Sequence, residues 1–314
     1  MNETNIRYKG RFGQTLIYLG KQLRMFLYQN DWKVLPMSAI IAGLVTFVVG
    51  ANLFVYQEGT LTGTFALVCV CIWNGCFNSI QSVCRERSIV KREHRAGLHV
   101  SSYILSQMLY QFMLCLGQTV VTMVVCYVAG VHFPEQGIIS PWGMADLSIT
   151  ILLTTYASDM MALMVSCIVR NTTTAMTVMP FLMIFQLVFS GGFFQLTGFA
   201  KKLEVLTISH WSLDAMCAIG RYNELPMVTL WNTLFKFKDI AFEGKKPLLE
   251  VILMMQEHNT VMDFLRWSGT YNTRGIYAST VENVLKNWGG IALHTFVYAL
   301  AAGVALKFID RDKR

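Results

Sequence analysis

Charge is scarce in this sequence. Only 14% of its 314 residues are Asp, Glu, Lys or Arg, against about 25% in an ordinary soluble domain. Too few polar groups remain to clothe a soluble fold of this length, which argues against an ordinary cytosolic enzyme. Proline numbers only 6, while 54% of the residues are hydrophobic. That excludes disordered and collagen-like chains. Catalytic and nucleotide signatures are missing as well. No G-x-x-x-x-G-K-[ST] loop occurs; the one Gly-Lys pair, Gly244-Lys245, lacks both the upstream glycine and the hydroxyl. Neither H-E-x-x-H nor G-x-S-x-G is present. Any work driven by ATP therefore needs an ATPase on another chain or a detached domain. The first 33 residues are polar and basic, without an apolar core of signal-peptide length.

What the chain does have is long runs free of Asp, Glu, Lys and Arg: 34–57, 59–84, 96–134, 171–200 and 287–306, with 147–169 broken only by Asp159. About 20 apolar residues cross a bilayer as a helix. No stretch alternates with the period of a barrel strand, and backbone in lipid must be bonded internally. The reading is an all-α integral membrane protein with six transmembrane helices, at about 34–55, 63–82, 103–130, 145–169, 173–195 and 289–308. Sixteen Lys and Arg fall on one side of this topology, whereas the short loops 56–62 and 131–144 have none. The long loop of about 197–288 carries ten, but long loops count little in the positive-inside rule. Both termini are therefore expected in the cytoplasm, with a large outer loop between the fifth and sixth spans. The net charge of +7 becomes a topology signal, and no nucleic-acid partner is expected. Residues 15–31 form an amphipathic stretch with Leu16, Leu19, Leu23, Phe26 and Leu27 on one face, fit for a helix lying along the inner surface.

Six of the eight cysteines lie within spans, Cys84 sits at the inner end of the second, and only Cys217 falls in the outer loop. No disulfide framework can form outside within one chain. Cys69 and Cys76 share a helical face but Cys71 points away, so the cluster reads as packing and no metal site is expected. The sequons at Asn2 and Asn171 are both cytoplasmic in this topology, and a bacterial inner membrane is the simpler setting.

Four features carry possible chemistry. The second span has a polar stripe, Asn74, Phe77, Asn78 and Gln81, at i, i+3, i+4 and i+7. Amides in lipid are costly unless paired or wetted, so this face meets either other helices or a substrate cavity. The fourth span has small residues every fourth position, Thr150, Thr154, Ser158, Ala162 and Ser166, a close-packing seam. Beside it lies the intramembrane acid Asp159. A proton relay would need a partner acid or histidine, and His294 sits at a different depth, so a neutral, hydrogen-bonded Asp159 is expected. The fifth span contains Pro180 and ends in Gly191, Gly192, Phe193 and Phe194, residues suited to bending and closing an outer gate. Finally, the loop after the second span, with Arg85, Glu86, Arg87, Lys91, Arg92 and Glu93 around Ile89 and Val90, predicts a short amphipathic helix able to dock on a partner.

Together these residues resemble the membrane domain of G-subfamily, type-2 ABC exporters. Asn74-Gly75-Cys76-Phe77 is similar to that family's cavity-lining segment. Glu86 through Tyr103 resembles its coupling helix and third span. Phe189-Ser190-Gly191 followed by Gly192-Phe193-Phe194 resembles its Phe-Ser-Gly-Leu-Leu plug, with phenylalanines in place of the leucine pair. Ile208-Ser209-His210-Trp211 through Asn223-Glu224-Leu225 is similar to its re-entrant segment. The resemblance implies a cytoplasmic segment 1–33, a six-helix domain 34–308 and a tail 309–314. It also implies alternating access in a dimer with a second permease subunit. Asn74, Phe77, Asn78, Gln81, Ile184 and Leu187 would line the cavity, and ATP and magnesium would be held by a partner ATPase. Competing classes are an ATP-independent channel or secondary transporter, supported by Asp159, and a lipid-modifying enzyme, which would need polar catalytic residues clustered at one interface.

Overall fold

The computed structural model describes residues 10–28, 31–192, 194, 196–241 and 245–308. Among them there is no strand, and Gln136 and Trp142 form an isolated antiparallel bridge. Thirteen α-helices follow in order: α1 Arg11–Tyr28, α2 Val34–Val49, α3 Gln57–Ser79, α4 Ser82–Arg95, α5 Val100–Val128, α6 Gly143–Ile168, α7 Thr172–Val188, α8 Phe199–Leu203, α9 Ile208–Ile219, α10 Thr229–Lys236, α11 Pro247–Glu257, α12 Val261–Gly269 and α13 Val281–Lys307. Five helical stretches are long and apolar enough to cross a membrane: Val34–Asn52, Gln57–Arg95, Val100–Val128, Gly143–Ile168 and Val281–Lys307. The sixth expected span, α7, is apolar but has 17 residues, at the short end of what spans.

α6 is the axle of the bundle, with α3, α5, α9 and α13 packed around it. The small-residue seam makes this possible. Thr150, Thr154, Ser158, Ala162 and Ser166 are all buried. Each hydroxyl of the seam also bonds: Trp288 Nε1 donates to Thr150 Oγ1 at 2.9 Å, Thr154 to Ser212 at 2.8 Å, and Ser158 to the Ile72 carbonyl at 2.7 Å. Ser166 Oγ accepts from the backbone N–H groups of Val83 and Cys84 at 3.0 and 3.1 Å. It thereby caps α4, whose own N-cap, Gln81, offers no side-chain bond. On α3, Gly75 faces the Thr155 carbonyl so closely that any Cβ would overlap it.

Several helix boundaries depart from those that charge alone sets. α3 begins at Gln57, six residues before the expected 63. Glu58 sits in its first turn, where an acid opposes the helix dipole, and accepts from the Val228 and Thr229 amides at 3.3 and 2.8 Å. α13 begins at Val281 instead of 289, with Thr280 Oγ1 capping the Asn283 amide at 3.3 Å. α7 stops at Val188, short of the expected 195, because Gly191 turns the chain at φ +75°. The outer segment 197–288 is not one loop. α9 is buried almost throughout, against α3, α6 and α13, while α10, α11 and α12 form a more exposed group. α1 starts at Arg11, earlier than the expected 15. Thr15 and Gln22 are its buried residues, whereas Leu16, Leu23 and Leu27 are exposed. Its Thr15 and Gln22 thus pack inward, Phe26 meets Tyr110 of α5, and Leu16, Leu23 and Leu27 remain exposed.

Candidate substrate grooves and coupling face

Trp73 and Phe77, one turn apart on α3, each remain 45% exposed, with their rings 5.4 Å apart. They form one wall of an open groove of about 450 Å³. Met176, Met179, Pro180, Met183, Ile184 and Leu187 of α7 form the other wall. Phe77, Ile184 and Leu187 therefore line one groove within a single chain. Trp73 and the methionines of α7 were missed. Their signal was present, since Trp73 precedes Phe77 by four positions and Met176, Met179 and Met183 repeat at i, i+3 and i+7.

The amides of the stripe go elsewhere. Asn74 is buried and donates to Ser38 Oγ of α2 at 3.3 Å, beside a second groove of about 490 Å³ between α2 and α3. Asn78 is bound to α5: its Nδ2 donates to Gln118 Oε1 at 2.8 Å, and its Oδ1 accepts from Gln118 Nε2 at 3.1 Å. Gln81 lines a polar cavity at the base of α3. The physical reason is the width of the stripe. At about 100° per residue, its four members spread over roughly 100° of helix circumference, so Phe77 at one edge meets α7 while Asn78 at the other meets α5.

Asp159 is fully buried at the junction of α3, α5 and α6. Ser79 donates to its Oδ1, and Cys115 Sγ and Asn78 Nδ2 lie 3.3 and 3.5 Å from Oδ2. These partners make it a polar knot between helices, away from both grooves. His294 instead turns its Nδ1 to the Gly290 carbonyl at 2.8 Å.

At the far end of α7, Gly192 lies against Leu213 and Phe65, with room for no Cβ, and Phe194 is half-exposed. Phe193 lies outside the described residues. α9 holds this end. Thr207 Oγ1 donates to the Phe189 carbonyl at 3.2 Å, and the Ser209 amide donates to Gln186 Oε1 at 3.2 Å. In α9, His210 and Asp214 approach to 3.7 Å. Burial pushes Asp214 up to about 8, reinforced by the nearby Glu204, and burial holds His210 down at about 4. At neutral pH neither is charged, so this contact is dipolar and not an ion pair.

α4 is divided between internal ties and an outward face. Glu86 pairs with Lys21 of α1 at 3.4 Å, and Glu93 accepts from the Tyr18 hydroxyl. Burial and that carboxylate raise the Tyr18 phenol. Arg87 donates to the Cys167 and Val169 carbonyls at 2.8 and 3.1 Å, closing the C-terminal end of α6. Lys91 is half-buried. Val90 is 1% exposed, in a core with Tyr103 and Leu163. The expected apolar docking pair is thus split, because adjacent residues on a helix point about 100° apart. Arg85, Ser88, Ile89 and Arg92 form the exposed stripe at i, i+3, i+4 and i+7.

An all-helical bundle that lays an apolar groove between two of its spans, with a basic amphipathic helix at the end richest in Lys and Arg, is a multi-pass membrane transport protein by class. The chain belongs to the ABC-2 type transporter family, which its residues 14–218 match. Over 150 residues it is 27% identical to an ABC transporter ATP-binding/permease protein of Mycobacterium tuberculosis, covering 47% of this chain and 17% of that protein. The chain thus spans less than a fifth of that relative's length. The matched region runs from α1 into α9, which agrees with a type-2 ABC permease domain.

Proposed function

We propose that this chain is the permease subunit of an ATP-driven exporter that moves an amphipathic or lipophilic substrate by alternating access in a dimer. The groove between Trp73–Phe77 and α7 carries the reading. It is apolar and aromatic, and its Met176, Met179 and Met183 side chains adapt to varied shapes. Pro180 lies in the same wall, where a helix lacks one backbone bond and bends most readily. In a dimer, two such grooves would face a common cavity, and Gly191, Gly192 and Phe194 would close it from outside. Ser88, Ile89 and Arg92 would rest on an ABC-type ATPase that holds ATP and magnesium. The setting proposed is a plasma membrane, as in a bacterial inner membrane.

The test is reconstitution with the cognate ATPase, scoring ATP hydrolysis with and without candidate lipophilic substrates. Stimulation that is weakened in Phe77→Ala and unchanged in a lipid-facing control such as Phe296→Ala supports the reading. Stoichiometric ATP binding by the isolated chain, or transport without any ATPase, overturns it.

A further inference from the structure

A polar cavity of about 220 Å³ lies where α1 crosses the junction of α3 and α4 and the first half of α5. Its wall is rich in amides: Gln22 from α1, Asn78 and Gln81 near the end of α3, and Gln107 and Gln111 from α5. Two of them carry unbonded side-chain atoms. Gln22 is 7% exposed with neither side-chain atom bonded, and Gln111 is 1% exposed with its Oε1 unbonded. Buried amides of this kind are almost always satisfied by something, and these two border an open space.

The cavity is not isolated. Val34 and Phe77 line it and also line the groove of about 490 Å³ between α2 and α3, with Met37, Ile41 and Trp73. The amide-walled chamber therefore adjoins an apolar slot, and Met37 leaves that slot open to the side. Water would fill the chamber alone, whereas a molecule with a polar head and an apolar chain matches both parts. The charges set the sign of the head. Arg85 lines the chamber and Lys33 the slot, while Glu86, the one acid in the lining, is paired with Lys21. A guanidinium and an amide N–H hold a phosphate through charge-assisted bonds, and Gln22 Nε2 is an unbonded donor in this wall.

We propose that this amphipathic recess binds one anionic phospholipid from the leaflet along which α1 lies. Its phosphate sits between Gln22 Nε2 and Arg85, and its acyl chain lies in the α2–α3 groove. The site is on the far side of the Trp73–Phe77 ridge from the α7 groove, and it ties α1 to the α3–α4 junction.

The experiment uses the full chain in mild detergent, with native mass spectrometry and thermal unfolding after addition of phosphatidylglycerol, phosphatidylcholine or inorganic phosphate. Phosphatidylglycerol is expected to bind one to one and raise Tm, and phosphatidylcholine to bind about tenfold more weakly, as befits the loss of a charge-assisted contact. Inorganic phosphate is expected to leave Tm unchanged. Arg85→Gln, at the exposed rim, should weaken phosphatidylglycerol about tenfold. The pair Gln22→Leu with Gln111→Leu should abolish the Tm shift without lowering the lipid-free Tm. Equal binding of both lipids, or a response to phosphate alone, overturns the proposal. So does undiminished phosphatidylglycerol binding in Arg85→Gln, which holds even if the leucine pair fails to fold. A leucine pair that gains stability and still binds lipid shows a water-filled chamber only, and equally overturns it.

Discussion

Trp73 and Phe77 act as a pair because each ring is the other's nearest support on an otherwise open face of α3. Removing either leaves the partner loose against the groove. Trp73→Ala and Phe77→Ala are each expected to cost about 0.5–1.5 kcal/mol of substrate interaction, roughly a 2- to 12-fold rise in the concentration that half-stimulates ATP hydrolysis by the assembled complex. Asn78→Ala should behave differently. It breaks the exchange with Gln118 and the contact with Asp159, so its effect should show as a lower Tm and not as a selective loss of substrate response. Asp214 offers a test by pH. Its folded-state value of about 8 lies above the ordinary 3.8. Between those values the unfolded chain has shed a proton that the folded chain keeps, so stability falls as pH rises and levels off above about pH 8. His210, held at about 4 against its ordinary 6.5, works in the opposite direction, but only below pH 6.5. From pH 6.5 to about 8 the Asp214 effect therefore stands alone of the pair. Tm of the wild type in detergent should fall across that range, and Asp214→Asn should flatten the slope. An unchanged slope would mean that α9 is not the origin.

At the scale of elements, α4 shows how a charged helix serves two purposes. Charge content marked it in the sequence as a docking element, and that view placed Glu86, Arg87 and Glu93 on the partner. Packing assigns these three to α1 and α6 instead, since a carboxylate or guanidinium near half-buried carbonyls and hydroxyls is held by them before any partner arrives. Two classes of variant follow. Arg87→Ala strips donors from the Cys167 and Val169 carbonyls and is expected to lower stability by about 1–3 kcal/mol, seen as a reduced Tm of the isolated chain. Ile89→Asp, on the exposed stripe, should change that stability by no more than about 0.5 kcal/mol while reducing the coupling of ATP hydrolysis to transport. If Ile89→Asp transports as well as wild type, the stripe is not the ATPase contact. The seam of α6 was plain from spacing alone, because small residues every fourth position have one structural use in a membrane helix. Its partner Gly75 was not, since one glycine in a span has many explanations until the Thr155 carbonyl is seen against it. Gly75→Leu should overpack this crossing and cost about 1–3 kcal/mol.

For the whole molecule, hydropathy and charge sufficed for the all-helical class and for five of the spans, with α7 found as a shorter apolar helix. They failed where polar residues are used inside the bundle. α9 reads as part of an outer loop because Ser209, His210, Ser212 and Asp214 dilute its hydropathy, yet Ser209 and Ser212 are hydrogen-bonded to α7 and α6, so it sits in the core. The inward side of α1 was hidden for the same reason. Its exposed leucines dominate the pattern, while Thr15, Tyr18 and Gln22 make the contacts. Orientation remains the broadest expectation that the chain's charges support. Sixteen Lys and Arg at one end stand against none in the two short loops at the other, and each such charge resists transfer across the membrane. Single cysteines at Lys236 of α10 and Arg92 of α4, both exposed, report the two ends directly. Seven of the native thiols are buried, and only Cys69 is half-buried, so a Cys69→Ser background suffices to keep labelling low. A membrane-impermeant thiol reagent applied to intact cells is expected to label the cysteine at Lys236 at once, and the one at Arg92 only after permeabilisation. The opposite pattern would place α4 outside, where no ATPase could reach its exposed stripe, and the proposed coupling would fall with it.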